Sequence, residues 1–192
     1  MHNKHRLIRG GLIALALLLV LVFFVNRVRA PEISPTERTY TGHGISFVYP
    51  DTYTLREYDV DTTQRYHYSI VLVENSQTNR DLLDGKIVGE GPTAITIDVF
   101  QNNLDTESLN GFVVGNNNSN FKLSDGTYKQ TTATRARVPA LSYTWDGLYR
   151  GDSVVFAHES KDNILMASVT YLTPNDQIRA DFKKVLASLT LE

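Results

Sequence analysis

Three histidines outside the first 30 residues, His43, His67 and His158, have side chains that could act as a general base or bind a transition metal. No two of them are spaced as His-x-His or His-x-x-x-His, so either chemistry would need partners from distant strands. His67 faces the opposite side of its predicted strand from the tyrosines that flank it, and His158 stands beside Glu159. We interpret all three as structural residues. A hydrolase that uses His67 or His158 with nearby acids stays open as the alternative.

Other sequence signatures of catalysis or ligand binding are missing. The chain has no Gly-x-Ser-x-Gly nucleophile motif and no glycine-rich phosphate loop. It has no cysteine, which excludes disulfides and thiolate metal sites. Asp59 and Asp61 place two carboxylates on one strand face, without the glycine and distal glutamate of an EF-hand loop. We predict no catalytic residue, no cofactor and no bound metal, and keep a metal-binding protein as a further alternative.

Aromatic residues are the stronger candidates for recognition. The chain has ten tyrosines and one tryptophan, and both residue types are enriched at protein interfaces because they join an apolar ring to a polar group. Strand-rich domains also use tyrosine at sheet edges, which is the alternative interpretation. The predicted hairpin tip from Trp145 to Arg150 brings a tryptophan, a tyrosine and an arginine together. We predict that Trp145, Tyr149 and Arg150 form a partner-binding patch.

The charge of the chain is unevenly distributed. Of its 19 lysines and arginines, five lie in residues 1–30, where there is no acidic residue. The remaining 14 basic residues stand against 21 acidic ones. Nucleic-acid binding depends on neutralising phosphates with basic side chains, so we expect no nucleic-acid partner.

The N-terminal region is predicted to enter a membrane. Leu12–Val25 is an unbroken apolar run of 14 residues, whereas a helix needs about 20 residues to span a bilayer. The weak cleavage signal that ends at Ala30 is followed by Pro31, which disfavours cleavage. Flanking arginines can extend their stems to the headgroups. We predict a transmembrane anchor over residues 10–28, with a signal peptide as the alternative.

Basic residues also predict the orientation of this segment. Three precede the apolar run and two follow it, and the more basic, shorter flank favours the cytoplasm. Residues 1–9 would then be a cytoplasmic tail, residues 29–37 a linker, and residues 38–192 a domain outside the cytoplasm. The chain would be a single-pass protein of the cell membrane, in a bacterial envelope.

Strand patterns dominate the remaining residues. We predict a hairpin across Gly42-His43-Gly44, and a long loop over residues 75–91. The other predicted strands cover residues 52–58, 66–73, 94–100, 128–134, 140–145, 154–157 and 164–171, the last three as a meander.

Two segments change to a helical period. Leu109, Phe112 and Val113 share one face of a predicted helix, which Thr106 could cap. In the final helix, Thr173 would be the N-cap and Asp176 the third helical residue. Its apolar stripe consists of Ile178, Phe182, Val185, Leu186 and Leu189. The predicted class is therefore α+β, with a largely antiparallel sheet covered by helices.

Several segments, in order, resemble the PsbP-like family, named for an extrinsic protein of photosystem II. Gly44–Pro50 is similar to the opening strand of that family, which ends in a Tyr-Pro step. The resemblance continues through Glu107–Phe121, Ala140–Thr144, Ile164–Tyr171 and the final helix, and spans residues 38–192. It implies an α/β/α sandwich with a central antiparallel sheet, here preceded by one N-terminal transmembrane helix. It also implies accessory or binding roles rather than catalysis.

The chain departs from this family in three ways. Tyr53 stands near the position where many members have tryptophan. An apolar segment replaces the lipidated cysteine of many bacterial members, and no metal-ligand set or photosystem-docking segment matches. The resemblance therefore supports fold and placement, and not a role in oxygen evolution. We predict a membrane-anchored extracytoplasmic PsbP-like domain that serves a protein partner in the envelope as a non-catalytic accessory or binding protein.

Overall fold

Ten β-strands and three α-helices form the part of the chain that the structure describes. This computed structural model describes residues 36–60, 67–101 and 108–192. The helices are α1 (Gln77–Leu83), α2 (Leu109–Gly115) and α3 (Gln177–Ser188), and a 3₁₀ turn spans Asn120–Leu123. The strands are β1 (Glu37–Gly42), β2 (Ile45–Pro50), β3 (Tyr53–Asp59), β4 (His67–Glu74), β5 (Ala94–Gln101), β6 (Lys129–Ala133), β7 (Val138–Asp146), β8 (Arg150–His158), β9 (Asn163–Tyr171) and β10 (Thr190–Leu191).

The predicted anchor, residues 10–28, lies outside the described residues, as do the predicted tail and most of the predicted linker. None of the helices within the described ranges is long and apolar enough to cross a membrane.

A seven-stranded sheet is the centre of the domain. Its strand order is β3-β4-β5-β9-β8-β7-β6, and every neighbouring pair is antiparallel. A second, three-stranded antiparallel sheet has the order β1-β2-β10. The α+β class, the antiparallel pairing and the β7-β8-β9 meander are therefore confirmed.

One face of the large sheet carries the main apolar core. Because side chains alternate along a strand, Ile95, Ile97 and Val99 of β5 all lie on this face, where they are fully buried. Helix α3 and strand β2 cover it, and Phe182 of α3 belongs to the same core cluster. The apolar stripe predicted for the final helix thus packs on the sheet as expected.

The described residues cover the opposite face only in part. Helix α2 and the 3₁₀ turn pack against β7 and β8 there. Phe112 of α2 joins a second core cluster with Phe100, Val155 and Ile164 of the sheet. Next to this cluster, β4, β5 and β9 carry polar side chains on the same face.

The turn between β1 and β2 follows the predicted hairpin. His43 and Gly44 occupy its two central positions, with φ values of 52° and 78°. Two successive positive φ values define the type I′ turn, which matches the twist of a hairpin.

Helix α1 lies where a loop was predicted, so that prediction was wrong for residues 77–83. The helix buries none of its residues, and therefore has no apolar period that a sequence pattern could reveal. Ser76 caps it by accepting a hydrogen bond from the backbone N–H of Asn79.

The other two helices begin later than predicted. Ser108 caps α2 through the N–H of Gly111, and the predicted cap, Thr106, lies outside the described residues. Helix α3 begins at Gln177, because a turn over residues 173–176 precedes it. Asp176 closes that turn by accepting hydrogen bonds from the N–H groups of Leu172 and Thr173.

A buried hydrogen bond joins α3 to β3. The Tyr53 hydroxyl donates to Asp181 Oδ2 over 3.0 Å, and Asp181 is 5% exposed. Burial raises the pKa of the Tyr53 hydroxyl, and the charge of Asp181 raises it further, so the hydroxyl stays protonated as the donor at neutral pH.

We expect Tyr53→Phe to lower the free energy of unfolding by about 1–2 kcal/mol, because a buried carboxylate loses a donor. Urea unfolding followed by circular dichroism measures this change. The matched control is Tyr128→Phe, which removes an exposed hydroxyl that donates to Asn110. A cost no greater than that of the control would show that this hydrogen bond does not stabilise the fold.

Candidate functional site

A cavity of about 370 Å³, called the polar cavity below for the polar side chains set into its lining, lies on the partly covered face of the large sheet. Strands β4, β5 and β9 form its floor, and the β7–β8 hairpin and the residues around the 3₁₀ turn form its walls. Its polar and aromatic lining includes His67, Thr96, Asp98, Trp145, Tyr149 and Ser168. The volume is at the lower end of the range of about 300–1,000 Å³ that is usual for small-molecule sites.

His67 and Asp98 form a hydrogen-bonded pair in this cavity. His67 Nε2 lies 2.9 Å from Asp98 Oδ1, and the two side chains are 16% and 13% exposed. The β4–β5 register pairs His67 with Phe100 and Ser69 with Asp98, which makes His67 and Asp98 diagonal neighbours on one face. The His67 ring also stacks on Phe100, with 4.3 Å between the ring centroids. These contacts hold both side chains in defined orientations.

A chain of hydrogen bonds continues across the cavity floor. Trp145 Nε1 donates to Ser153 Oγ over 2.9 Å, and Ser153 Oγ lies 2.8 Å from Ser168 Oγ. Asn120 Nδ2 donates to Ser168 Oγ over 3.4 Å. The indole and amide nitrogens only donate, and the serine–serine bond uses one of the two hydroxyl hydrogens. If the Ser153 hydroxyl donates to Ser168 Oγ, the hydroxyl hydrogen of Ser168 can donate to an acceptor in the cavity.

Trp145 lies flat over the backbone of the neighbouring strand. Its cross-strand partner is Gly151, where an added Cβ would be 2.7 Å from Trp145 Nε1 and still closer to Cε2. A glycine is therefore needed for the ring to reach Ser153. This close approach fixes the position of the indole.

The structure places the predicted patch residues at the β7–β8 turn, on two different pockets. Tyr149 lines the polar cavity and donates from its hydroxyl to the carbonyl of Gly91 over 3.0 Å. Arg150 is exposed and lines a second pocket of about 290 Å³. Trp145 lines both pockets. Whether these three residues bind a partner stays a prediction.

Exposed leucines surround this turn. Leu148 at the turn and Leu172 after β9 are 68% and 69% exposed, and Leu123 of the 3₁₀ turn is 44% exposed. Leu123 Cδ1 would be 3.5 Å from a Cβ at Gly147. Strand pairing sets Arg150 opposite Tyr171, the residue before Leu172. We call Leu123, Trp145, Leu148, Arg150 and Leu172 the tip surface.

The other two histidines make structural contacts. His158 is 3% exposed. Its Nε2 lies 3.0 Å from the carbonyl oxygen of Gly44, which can only accept, so Nε2 carries the proton. Its Nδ1 lies 3.2 Å from the Ser160 hydroxyl oxygen. His43 stacks on Tyr68 and lies 3.9 Å from Glu57 Oε2.

Of the acidic pair considered for calcium, Asp59 ends β3 and Asp61 lies outside the described residues. Across residues 36–60, 67–101 and 108–192, no group of three or more His, Asp or Glu side chains is placed to hold a metal ion.

Sequence analysis did not identify Asp98 as the partner of His67. The one signal in the sequence that could have indicated Asp98 is its place among the polar positions of the alternating strand β5. The partner network of Trp145 was also missed, because Ser153 and Ser168 lie in strands whose register the sequence does not reveal.

Comparisons with known proteins give a likeness of fold. No protein-family model matches the chain, and no curated protein matches it. The chain is similar to the solution structure of cyanobacterial PsbP (CyanoP) from Synechocystis sp. PCC 6803, with a TM-score of 0.46 and 12% sequence identity. The match covers 85% of this chain and 96% of that one. That protein belongs to the family that the sequence resembles.

We expect Gly151→Ala to displace the Trp145 ring and to lower the free energy of unfolding by about 1–3 kcal/mol, the usual cost of overpacking. Trp145 is the single tryptophan of the chain, so its fluorescence emission should shift to the red as the ring gains water contact. The matched control is Gly115→Ala, where an added Cβ meets nothing within 4 Å. If Gly151→Ala, like the control, leaves stability and emission unchanged, the close packing of Trp145 on Gly151 is contradicted.

Proposed function

We propose that this chain is a membrane-anchored extracytoplasmic PsbP-like domain that acts as a non-catalytic accessory or binding protein for an envelope component. The observation that carries the proposal is the tip surface, at which three elements of the domain present exposed apolar side chains around Trp145 and Arg150. The placement outside the cytoplasm rests on the apolar N-terminal run and its basic flanks.

The tip surface has the composition of a protein-binding site. Tryptophan and arginine are the residue types most enriched among the side chains that dominate binding energy. Leu148 and Leu172 are each more than two-thirds exposed, and clustered exposed apolar side chains mark interaction sites on otherwise polar surfaces. A protein partner that covers these leucines would bury Trp145 and Arg150 at the centre of the contact.

The rigidity of the tip also favours binding. Trp145 is fixed by Gly151 and Ser153, and Tyr149 is tied to the Gly91 carbonyl. A surface that is already ordered loses little conformational entropy when a partner docks.

The proposal is tested by crosslinking pulldown of the full-length chain from its native membrane. We expect the double variant Leu148→Ser/Arg150→Ala to lose a crosslinked partner that the unaltered chain retains. Both side chains are exposed, so the substitutions leave the core intact. The fall in affinity should be at least about tenfold, as for the loss of residues central to an interface.

The matched control is Val60→Ser/Arg56→Ala, because β3 is at the opposite edge of the sheet from β6 and β7. A partner retained by the tip variant, or lost equally in the control, would contradict this role of the tip surface.

A second candidate function, an envelope hydrolase, is favoured by the His67–Asp98 pair. A histidine held by a carboxylate in a cavity with hydroxyl groups is the arrangement of a general base. Against it, the nearby Ser168 hydroxyl is bonded to Ser153 and Asn120. Among the described residues, no hydroxyl is within hydrogen-bond distance of His67.

If the hydrolase candidate is right, the chain should hydrolyse a nitrophenyl ester or phosphoester, and His67→Asn should reduce kcat/KM at least about a hundredfold. His43→Asn is the matched control, because His43 does not line the cavity. Equal rates for the unaltered chain and His67→Asn would exclude His67 as a general base for these substrates.

A further inference from the structure

The lining of the polar cavity combines aromatic side chains with neutral hydrogen-bonding groups. Its aromatic side chains include Trp145, Tyr149 and Phe100, and its hydrogen-bonding groups include hydroxyls, two asparagine amides and one carboxylate. Among the residues that the structure describes, no lysine or arginine lines it. Such a cavity offers flat apolar surfaces and many neutral donors and acceptors, with little net charge.

We propose that this cavity binds a neutral saccharide ring. The hydrogen-bearing faces of a sugar ring are apolar and stack on aromatic side chains, whereas its edge carries a row of hydroxyl groups. Each hydroxyl both donates and accepts, so it is best matched by carboxylate, amide and hydroxyl side chains. The cavity presents these two kinds of surface together, and its volume of about 370 Å³ suits one or two sugar units.

The aromatic wall is held in place before any ligand arrives. Trp145 is packed on Gly151 and bonded to Ser153, and Tyr149 is bonded to the Gly91 carbonyl. Saccharides bind weakly because they must give up hydrogen bonds to water. A fixed wall reduces the entropy that has to be lost on binding.

Hydrogen bonds also hold the polar side chains of the cavity floor in place before a ligand binds. His67 occupies Oδ1 of Asp98, which leaves Oδ2 to accept a hydrogen bond from a sugar hydroxyl. The Asn120 amide donates to Ser168, so its side-chain oxygen can accept from a second hydroxyl. Thr96 adds a hydroxyl on the same strand face as Asp98.

Other ligand classes fit this lining less well. An anion would meet the Asp98 carboxylate, and no lysine or arginine in the described part of the lining balances that charge. An apolar ligand would leave buried polar groups unpaired, which costs free energy. An organic cation would be attracted to Asp98 and the aromatic rings, but would leave the amides and hydroxyls around it unused.

This inference goes beyond the proposed accessory function and does not depend on it. Trp145 borders both the cavity and the tip surface, whereas Leu148 and Leu172 do not line the cavity. The two proposals can therefore fail separately.

The experiment uses the fluorescence of Trp145, the only tryptophan in the chain. The full-length chain, in a detergent without a sugar headgroup, is titrated with glucose, galactose, N-acetylglucosamine, cellobiose and diacetylchitobiose. We expect a saturable change in emission with at least one of them. A response to a monosaccharide indicates a free sugar as ligand, and a response to disaccharides alone indicates the end of a glycan chain.

Two variants test whether the cavity is the site. Asp98→Ala and Thr96→Val should each raise the dissociation constant at least about fivefold, since each removes a hydrogen-bonding group. Thr96→Val keeps the shape of the side chain, so it tests the cavity even if Asp98→Ala fails to fold. Thr131→Val, on exposed β6, is the matched control, and Leu148→Ser/Arg150→Ala should bind sugar normally.

Three results would overturn the proposal. The first is no saturable change with any of the sugars. The second is a change that Thr96→Val leaves unaltered, and that Asp98→Ala also leaves unaltered if that variant folds. The third is saturation by tetramethylammonium or inorganic phosphate where the sugars give none, which would assign the cavity to an ion.

Discussion

The arrangement of this domain depends on the need to cover both faces of one seven-stranded sheet. Strand β9 lies at the centre of that sheet, and seven of its nine residues are buried, as expected for a strand covered on both sides. The chain supplies one twelve-residue helix, α3, which covers one face together with the small sheet. Within the described ranges, the other face receives α2, which has seven residues, and a 3₁₀ turn. Part of the second face is therefore left to polar side chains and a cavity.

Trp145 connects the two regions for which we propose a function. Its indole covers Gly151, and its Nε1 reaches Ser153 on the sheet. Trp145 lines both the polar cavity and the pocket of Arg150. A ligand or partner on either side would contact the same rigid ring.

Most of the strands could be predicted from the sequence because burial of the sheet imposes an alternating or continuous apolar pattern. Residues 94–100 and 164–171 showed these patterns, and both segments are strands. Helix α1 could not be predicted in this way because it buries no side chain. The contacts of the candidate site were even harder to predict than helix α1. His67 and Asp98 are 31 residues apart, and Ser153 and Ser168 meet only through the β8–β9 register. Such contacts depend on strand order and register, which local patterns do not determine.

The polar floor of the cavity is difficult to explain by stability alone. Replacing a buried ionisable pair by well-packed apolar residues is often neutral or stabilising, and every buried hydroxyl needs a partner. Valine or isoleucine at the positions of Thr96, Asp98 and Ser168 would extend the apolar cluster around Phe100 and Ile164. The chain instead orientates Asp98 with His67, and Ser168 with Ser153 and Asn120. An arrangement that spends several hydrogen bonds on orientating groups towards an open volume is better explained by a ligand than by folding.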